Sequence, residues 1–182
     1  VMKANGYAEL KIAKQKGGGY KIVMDKEDYK KPKFAMYSTE GNDREISTML
    51  MNIFNSDTSS LDKKIQKQLE KMHFEPNVSE GNLHGSWIKT LMITESGATG
   101  ISLKNVRQVH ILEPFWNKSR IDQVIGRVNR TCSHIALPQS ERDFKVFMYR
   151  MNISKAQQKL IKAKNNNYES TDEHLHRISL EK

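Results

Sequence analysis

Gln123-Val124-Ile125-Gly126-Arg127-Val128-Asn129-Arg130 is the stretch whose reading decides the fold. At 3.6 residues per turn, Gln123, Arg127 and Arg130 share one helical stripe, while Ile121, Val124, Ile125 and Val128 share the opposite one. The apolar stripe can seat a helix of about 118–130 on a sheet. The other stripe turns two guanidiniums and an amide outward. Guanidinium forks suit phosphate oxygens, and their charge is permanent. A merely solvated basic face has the same pattern, so the sequence before the helix has to separate the two.

That sequence is Thr94-Glu95-Ser96-Gly97-Ala98-Thr99-Gly100-Ile101-Ser102-Leu103, directly after the apolar run Ile88–Thr94. Hydroxyls and glycines there sit at the C-terminal end of a strand, where open parallel sheets bind their ligands. Glycine lets backbone N–H groups approach an anion, and a helix start favours negative charge. On its own the segment is also consistent with a plain tight turn. A second apolar run, Arg107–Leu112, has the composition of a buried parallel strand and leads into the arginine helix. Phe144–Tyr149 is a further strand.

Upstream, Phe34–Tyr37 is a short strand. Asn42 with Glu45 forms a capping-box pattern, and Ile46, Met49, Leu50, Ile53 and Phe54 make a helical stripe. Leu61, Ile65 and Leu69 mark a second, highly charged helix, and residues 73–86 read as a polar loop. Ser154 caps a helix rich in Lys and Gln, which Asn165-Asn166-Asn167 breaks. Ser170 with Glu173 caps a last helix. Strands alternating with helices predict an α/β fold with a parallel sheet covered on both faces.

Three segments follow. Residues 1–33 hold a helix end closing at Gly6 and a flexible basic insertion around Gly17-Gly18-Gly19, with a short strand at Tyr20–Met24. The triple glycine is no phosphate loop, which needs Gly, four residues, then Gly-Lys-Ser/Thr. Residues 34–150 hold the core of the fold, and 151–182 a helical extension. A chain that opens on a helix end reads as part of something longer.

The 182 residues suit one domain with appendages, and the net charge of +9 points to an anionic partner, nucleic acid first. The single cysteine, Cys132, allows no disulfide framework within the chain, which fits a reducing, intracellular setting. No apolar run approaches membrane-spanning length and the start is no signal peptide, so no membrane partner is expected. Cys132 and His134 lack a second ligand pair at zinc spacing, so no metal site is expected. His174 and His176 are two apart on a helix and face different ways. Phe115 and Trp116 are better suited to packing than to base stacking, while Trp87 and the run Met49–Met51 read as core.

Taken together, the hydroxyl and glycine turn, the following strand and Gln-x-x-Gly-Arg-x-x-Arg resemble motifs V and VI of superfamily 2 helicases and translocases, in their second RecA-like lobe. The likeness covers roughly residues 34–150 and is closest in wording from Ile93 to Arg130. Within that superfamily the chain looks nearest to helicases of large DNA viruses, relatives of the poxvirus nucleoside triphosphatase and early transcription factor. Leu103-Lys104-Asn105-Val106-Arg107-Gln108-Val109-His110 resembles their motif V tail. Cys132-Ser133-His134, Leu137-Pro138, Arg142 and Thr171-Asp172-Glu173 are similar as well.

The resemblance implies a three-layer RecA-like domain with a mainly parallel central sheet. Arg130 matches the arginine finger that reaches the γ-phosphate, Arg127 its partner and Gln123 the motif VI glutamine. Gly100 and Ser102 match the nucleotide side of motif V, although relatives often carry Asp or Asn at the latter position for the ribose. Thr94, Ser96 and Gly97 match the part that touches the nucleic-acid backbone. ATP and Mg²⁺ would be held mainly by an N-terminal lobe, because no phosphate-loop lysine and no Asp-Glu metal motif occurs in this sequence. The implied partners are that lobe and DNA or RNA. The implied activity is ATP-driven translocation or unwinding that this piece alone does not support. A viral version would work in the host cytoplasm, at the viral factory, or in the virion. A nucleic-acid-binding or transcription-factor docking module without motor activity stays open, as does a translocating subunit of a restriction or remodelling machine.

Overall fold

The structure is a computed structural model that describes residues 1–38, 44–72, 81–94, 100–112, 117–162 and 169–180. Asn42 and Asn165-Asn166-Asn167 lie outside the described residues, so the caps and breaks expected there are not described. The chain divides into two compact units. The first comprises Val1–Asn105 with Ser133–Leu137, and the second Val106–Cys132 with Pro138–Lys182.

In the first unit, β1 (Ala8–Glu9), β4 (Lys33–Tyr37) and β5 (Thr90–Ile93) form a parallel sheet in the order β1-β4-β5. Between them come β2 (Lys11–Lys14), β3 (Tyr20–Val23), α1 (Arg44–Phe54) and α2 (Lys63–Leu69). The central strand β4 buries Lys33, Phe34, Ala35 and Tyr37, so one face is covered throughout and the other at Phe34, while Met36 is exposed. Its register with β5 runs from Phe34 opposite Thr90 to Tyr37 opposite Ile93. The expected stripe of α1 is the buried one: Leu50 and Ile53 are in the core, with Ile46, Met49 and Phe54 packed against it. Ile65 and Leu69 of α2 join the same cluster, flanked by Leu61 and Met72. Trp87 is buried there as expected.

Two polar residues hold this core where the sequence shows only a lysine and a polar loop. Lys33 is fully buried, and its Nζ donates to the carbonyls of Lys31 at 3.1 Å, Met72 at 3.3 Å and Ser86 at 3.5 Å. Burial pulls its ammonium down to about 8. Asn82 is the second. Its Nδ2 donates to Phe54 O and Ile88 O, and its Oδ1 accepts from Trp87 N–H and Ile88 N–H. One buried amide thus satisfies four main-chain groups where helix and strand cannot.

The basic segment differs from the expectation of a flexible excursion. β2 and β3 form an antiparallel hairpin, with Lys11 opposite Val23 and Lys14 opposite Tyr20. The triple glycine is its tip, where Gly18 and Gly19 take φ of +85° and +77°, a region that strains other residues. Ile12 and Ile22 pair across the strands and sink into the core, which anchors the hairpin.

In the second unit, β6 (Gln108–Leu112) and β7 (Lys145–Tyr149) pair in parallel along their whole length, with α3 (Lys118–Val128) on the connection between them. Arg107 ties the two strand starts together. Its guanidinium donates to the Asp143 carbonyl and carboxylate at 2.9 Å and to Glu141 at 3.1 Å. The unit continues into α4 (Lys155–Lys162) and α5 (Thr171–Leu180). Both begin with a capping box. Ser154 and Gln157 bond reciprocally at α4, and Ser170 and Glu173 do so at α5. No described helix is long and apolar enough to cross a membrane.

Candidate nucleotide and nucleic-acid site

One group of the expected site residues lies in the first unit, at the C-terminal ends of β4 and β5. Thr94 follows β5, is half-buried, and its N–H donates to Tyr37 O at 3.4 Å, so the two strands end side by side. The Ser38 carbonyl at the end of β4 accepts from the Ser47 hydroxyl of α1 at 2.6 Å. Ser96 and Gly97 lie outside the described residues. Gly100 is exposed with φ of +77°; a Cβ there would meet nothing within 4 Å. The constraint on Gly100 is therefore its left-handed backbone and not crowding.

From Gly100 the chain is pinned by its apolar residues and by one asparagine. Ile101 and Leu103 are buried, and Ser102 between them is half-buried. Asn55, just past α1, donates from Nδ2 to Ser102 O and accepts at Oδ1 from Lys104 N–H, both at 2.9 Å. The amide brackets Leu103 and holds the main chain on either side of it. Asn105 then takes φ of +58°, and its N–H donates to Ser133 O at 2.9 Å. Sequence reading missed Asn55, because an Asn at a helix end signals a turn and not a strut to a segment 47 residues away.

A separate group of expected site residues belongs to the second unit, on and beyond α3. Asn117 caps the helix by accepting from Ser119 N–H at 2.9 Å. Ile121 and Val128 are buried, Val124 and Ile125 half-buried, so the apolar stripe faces inward as the spacing requires. Gln123 is exposed and Arg127 half-buried on the remaining surface. Arg130 departs from the expected geometry. The helix closes at Val128, and Asn129 leaves the helical region with ψ of 64°. Asparagine side chains compete with helix hydrogen bonding, which favours a stop there. Arg130 is therefore exposed on the turn after the helix and does not lie on the helical stripe with Gln123 and Arg127.

Past Arg130, Cys132 is exposed with φ of +63°, while Ser133 and His134 are buried and bonded to each other at 2.8 Å. Among the described residues no group of three or more His, Cys, Asp or Glu could hold a metal ion. Phe115 and Trp116 lie outside the described residues.

A strand ending at Ile93, a pinned segment over 101–105 and a Gln- and Arg-bearing helix follow one another in the chain, and residues 44–132 match the family described as helicase conserved C-terminal domain. This stretch is a helicase C-terminal domain. It is the RecA-like C-terminal lobe of the superfamily 2 helicases, in an α/β chain whose described strands, outside the β2–β3 hairpin, pair in parallel. The chain is similar to a termination factor NPH-I homolog of African swine fever virus, 44% identical over 104 residues, which are 56% of this chain and 14% of the relative. It is also similar to two putative ATP-dependent RNA helicases of Acanthamoeba polyphaga mimivirus. L538 is 50% identical over 74 residues, 41% of this chain and 16% of the relative. R350 is 40% identical over 91 residues, 50% of this chain and 11% of the relative. The chain thus spans 14% of the length of the first of these relatives. No solved structure matches it.

Proposed function

We propose that this helicase C-terminal domain is the second motor lobe of an ATP-dependent nucleic-acid translocase or helicase. The observation that carries this is the order of parts within the matched stretch. A parallel strand ends beside Thr94, a segment pinned at Ser102 and Lys104 comes next in the chain, and a helix bearing Gln123 and Arg127 follows, with Arg130 exposed just beyond it. Arg130 acts as the arginine finger, Arg127 sits beside it at the phosphates, and Gln123 bonds near them. Gly100 and Ser102 face the nucleotide, and Thr94, Ser96 and Gly97 contact the nucleic-acid backbone. ATP and Mg²⁺ are held mainly by an N-terminal lobe of the full-length protein, and motif V couples nucleotide-driven closure to grip on one strand.

The reported names of the relatives, a termination factor homolog and ATP-dependent RNA helicases, support ATP use and a role in transcription. The test compares ATP turnover by the full-length protein and by this chain alone, each with and without DNA or RNA. Nucleic-acid-stimulated turnover by the full-length protein, with none from the chain alone, is expected. Turnover by this chain alone would overturn the two-lobe scheme. Nucleic-acid binding without turnover by the full-length protein would favour the docking module.

A further inference from the structure

The β2–β3 hairpin has no part in the scheme above, yet it is built with care. Ile22 is held in both directions by the Gln68 side chain of α2: its N–H donates to Oε1 at 3.0 Å and its carbonyl accepts from Nε2 at 3.2 Å. The Tyr20 N–H donates to Asp62 at 3.3 Å, and the Tyr20 hydroxyl bonds the Glu45 carboxylate. Across the tip, Gln15 N–H donates to Gly19 O and Gly18 N–H donates to Gln15 O. A loop that only adds solubility needs none of these attachments.

The charge of this element is one-sided. Between Glu9 and Asp25 the sequence has four lysines and no carboxylate. Lys11 pairs with Glu9 at 3.3 Å. Lys14, Lys16 and Lys21 are exposed, and among the described residues they form no ion pair. Besides Glu9 at the base of the hairpin, the carboxylates that reach it, Asp62 and Glu45, both meet it at Tyr20. Tyr20 packs on the core side with Ile22, whereas Lys21 alternates to the opposite face.

We propose that the tip of this hairpin is a second contact for the nucleic-acid phosphate backbone, separate from the motif V turn. Ammonium groups on a fixed scaffold lose less freedom on binding than the same groups on a loose loop. Lysines read charge and not base identity, so the contact is independent of sequence. The exposed glycine tip lets a backbone pass close to the strand ends. This inference rests on the proposal that the protein acts on nucleic acid, and the test separates the two.

Full-length protein is titrated with a fluorescent single strand of mixed sequence, in a salt series and without nucleotide. The double variant Lys16→Gln/Lys21→Gln is compared with Lys155→Gln/Lys159→Gln, which removes the same charge from the exposed face of α4. Losing two phosphate contacts on a single strand should lower the slope of log K against log salt by about 1.4, with about tenfold weaker binding at low salt. The α4 variant should stay within about twofold of wild type. Equal melting temperatures for all three proteins check that the hairpin still folds, and Lys16→Gln alone at the tip should give about half the slope change. An unchanged slope in the hairpin variant, or an equal loss in the α4 variant, overturns the inference while wild-type binding leaves the nucleic-acid proposal standing. No binding by wild type at any salt would overturn both.

Discussion

Replacing Asn55 by alanine removes the amide that brackets Leu103 and releases two main-chain groups at once, Ser102 O and Lys104 N–H, each held at 2.9 Å. A typical intramolecular hydrogen bond nets about 1 kcal/mol, and more when its partner is left unpaired away from water. Lys104 is exposed and its N–H can turn to water, whereas Ser102 sits between the buried Ile101 and Leu103. The expected loss is therefore about 1–2 kcal/mol, a drop of several degrees in Tm for a unit of this size. Asn55→Asp sharpens the argument. A carboxylate still accepts from Lys104 but turns an acceptor toward the Ser102 carbonyl, so it should destabilise at least as much as alanine. In the full-length protein both variants should lower ATP turnover more than the melting shift explains, because Ser102 is proposed to face the nucleotide. Urea unfolding of this chain and steady-state ATPase of the full-length protein supply the two numbers. A variant that melts within a degree of wild type and turns over ATP normally would refute the role of Asn55 as a strut.

Asn82→Ala removes the partner of four main-chain groups, three of them buried and Phe54 O half-buried, and should cost about 3–4 kcal/mol in urea unfolding, more than any single exposed substitution in α2. Lys33 sets a pH dependence: burial holds it at about 8, and an unfolded lysine titrates near 10.4. The unfolded chain therefore binds more protons between these values, so this group makes stability rise with pH across that window, by up to about 1.4 kcal/mol per unit. The penalty is fully present below pH 8 and lifted by about 10.4. Measured from pH 7.5 to 10, wild type should gain stability relative to Lys33→Met, and a constant difference would contradict the burial argument. Gly100→Ala should destabilise by about 1 kcal/mol through its left-handed φ alone, since a Cβ there meets no neighbour.

Much of the fold was legible because its signals are local. The stripe Leu50, Ile53, Ile65 and Leu69 follows helical periodicity and is the buried face of α1 and α2. The apolar runs that read as strands hold β4, β5, β6 and β7, shorter than the runs by a residue or more in most cases. The capping boxes at Ser154 and Ser170 are complete within four residues and were readable for that reason. What escaped depends on partners distant in sequence. β2 is a strand because Ile12 meets Ile22 across a glycine tip, and its own four residues, Lys-Ile-Ala-Lys, carry little strand preference. β1 is two residues long and exists only through its pairing with β4. Asn55, Asn82 and Lys33 act on main-chain groups up to 53 residues away, which no spacing pattern encodes. In the candidate site, residue types at Gln123, Arg127 and Arg130 were readable, but the exit from the helix at Asn129 was not, because periodicity continues through a residue whose backbone has left the helix.

That exit makes Arg130 the decisive residue. It is exposed on a turn beyond Val128, so truncating it opens no cavity in the core. The most direct measurement is steady-state ATP turnover by full-length protein carrying Arg130→Ala, with nucleic acid saturating, alongside nucleotide affinity and melting temperature. A finger stabilises charge that develops in the transition state, so turnover should fall by about a thousandfold or more while affinity weakens only modestly and Tm stays put. Arg130→Lys should not restore it, because an ammonium lacks the planar fork. Near-normal turnover by Arg130→Ala would contradict the finger assignment and shift it to Arg127, and unfolding of the domain would show Arg130 to be structural.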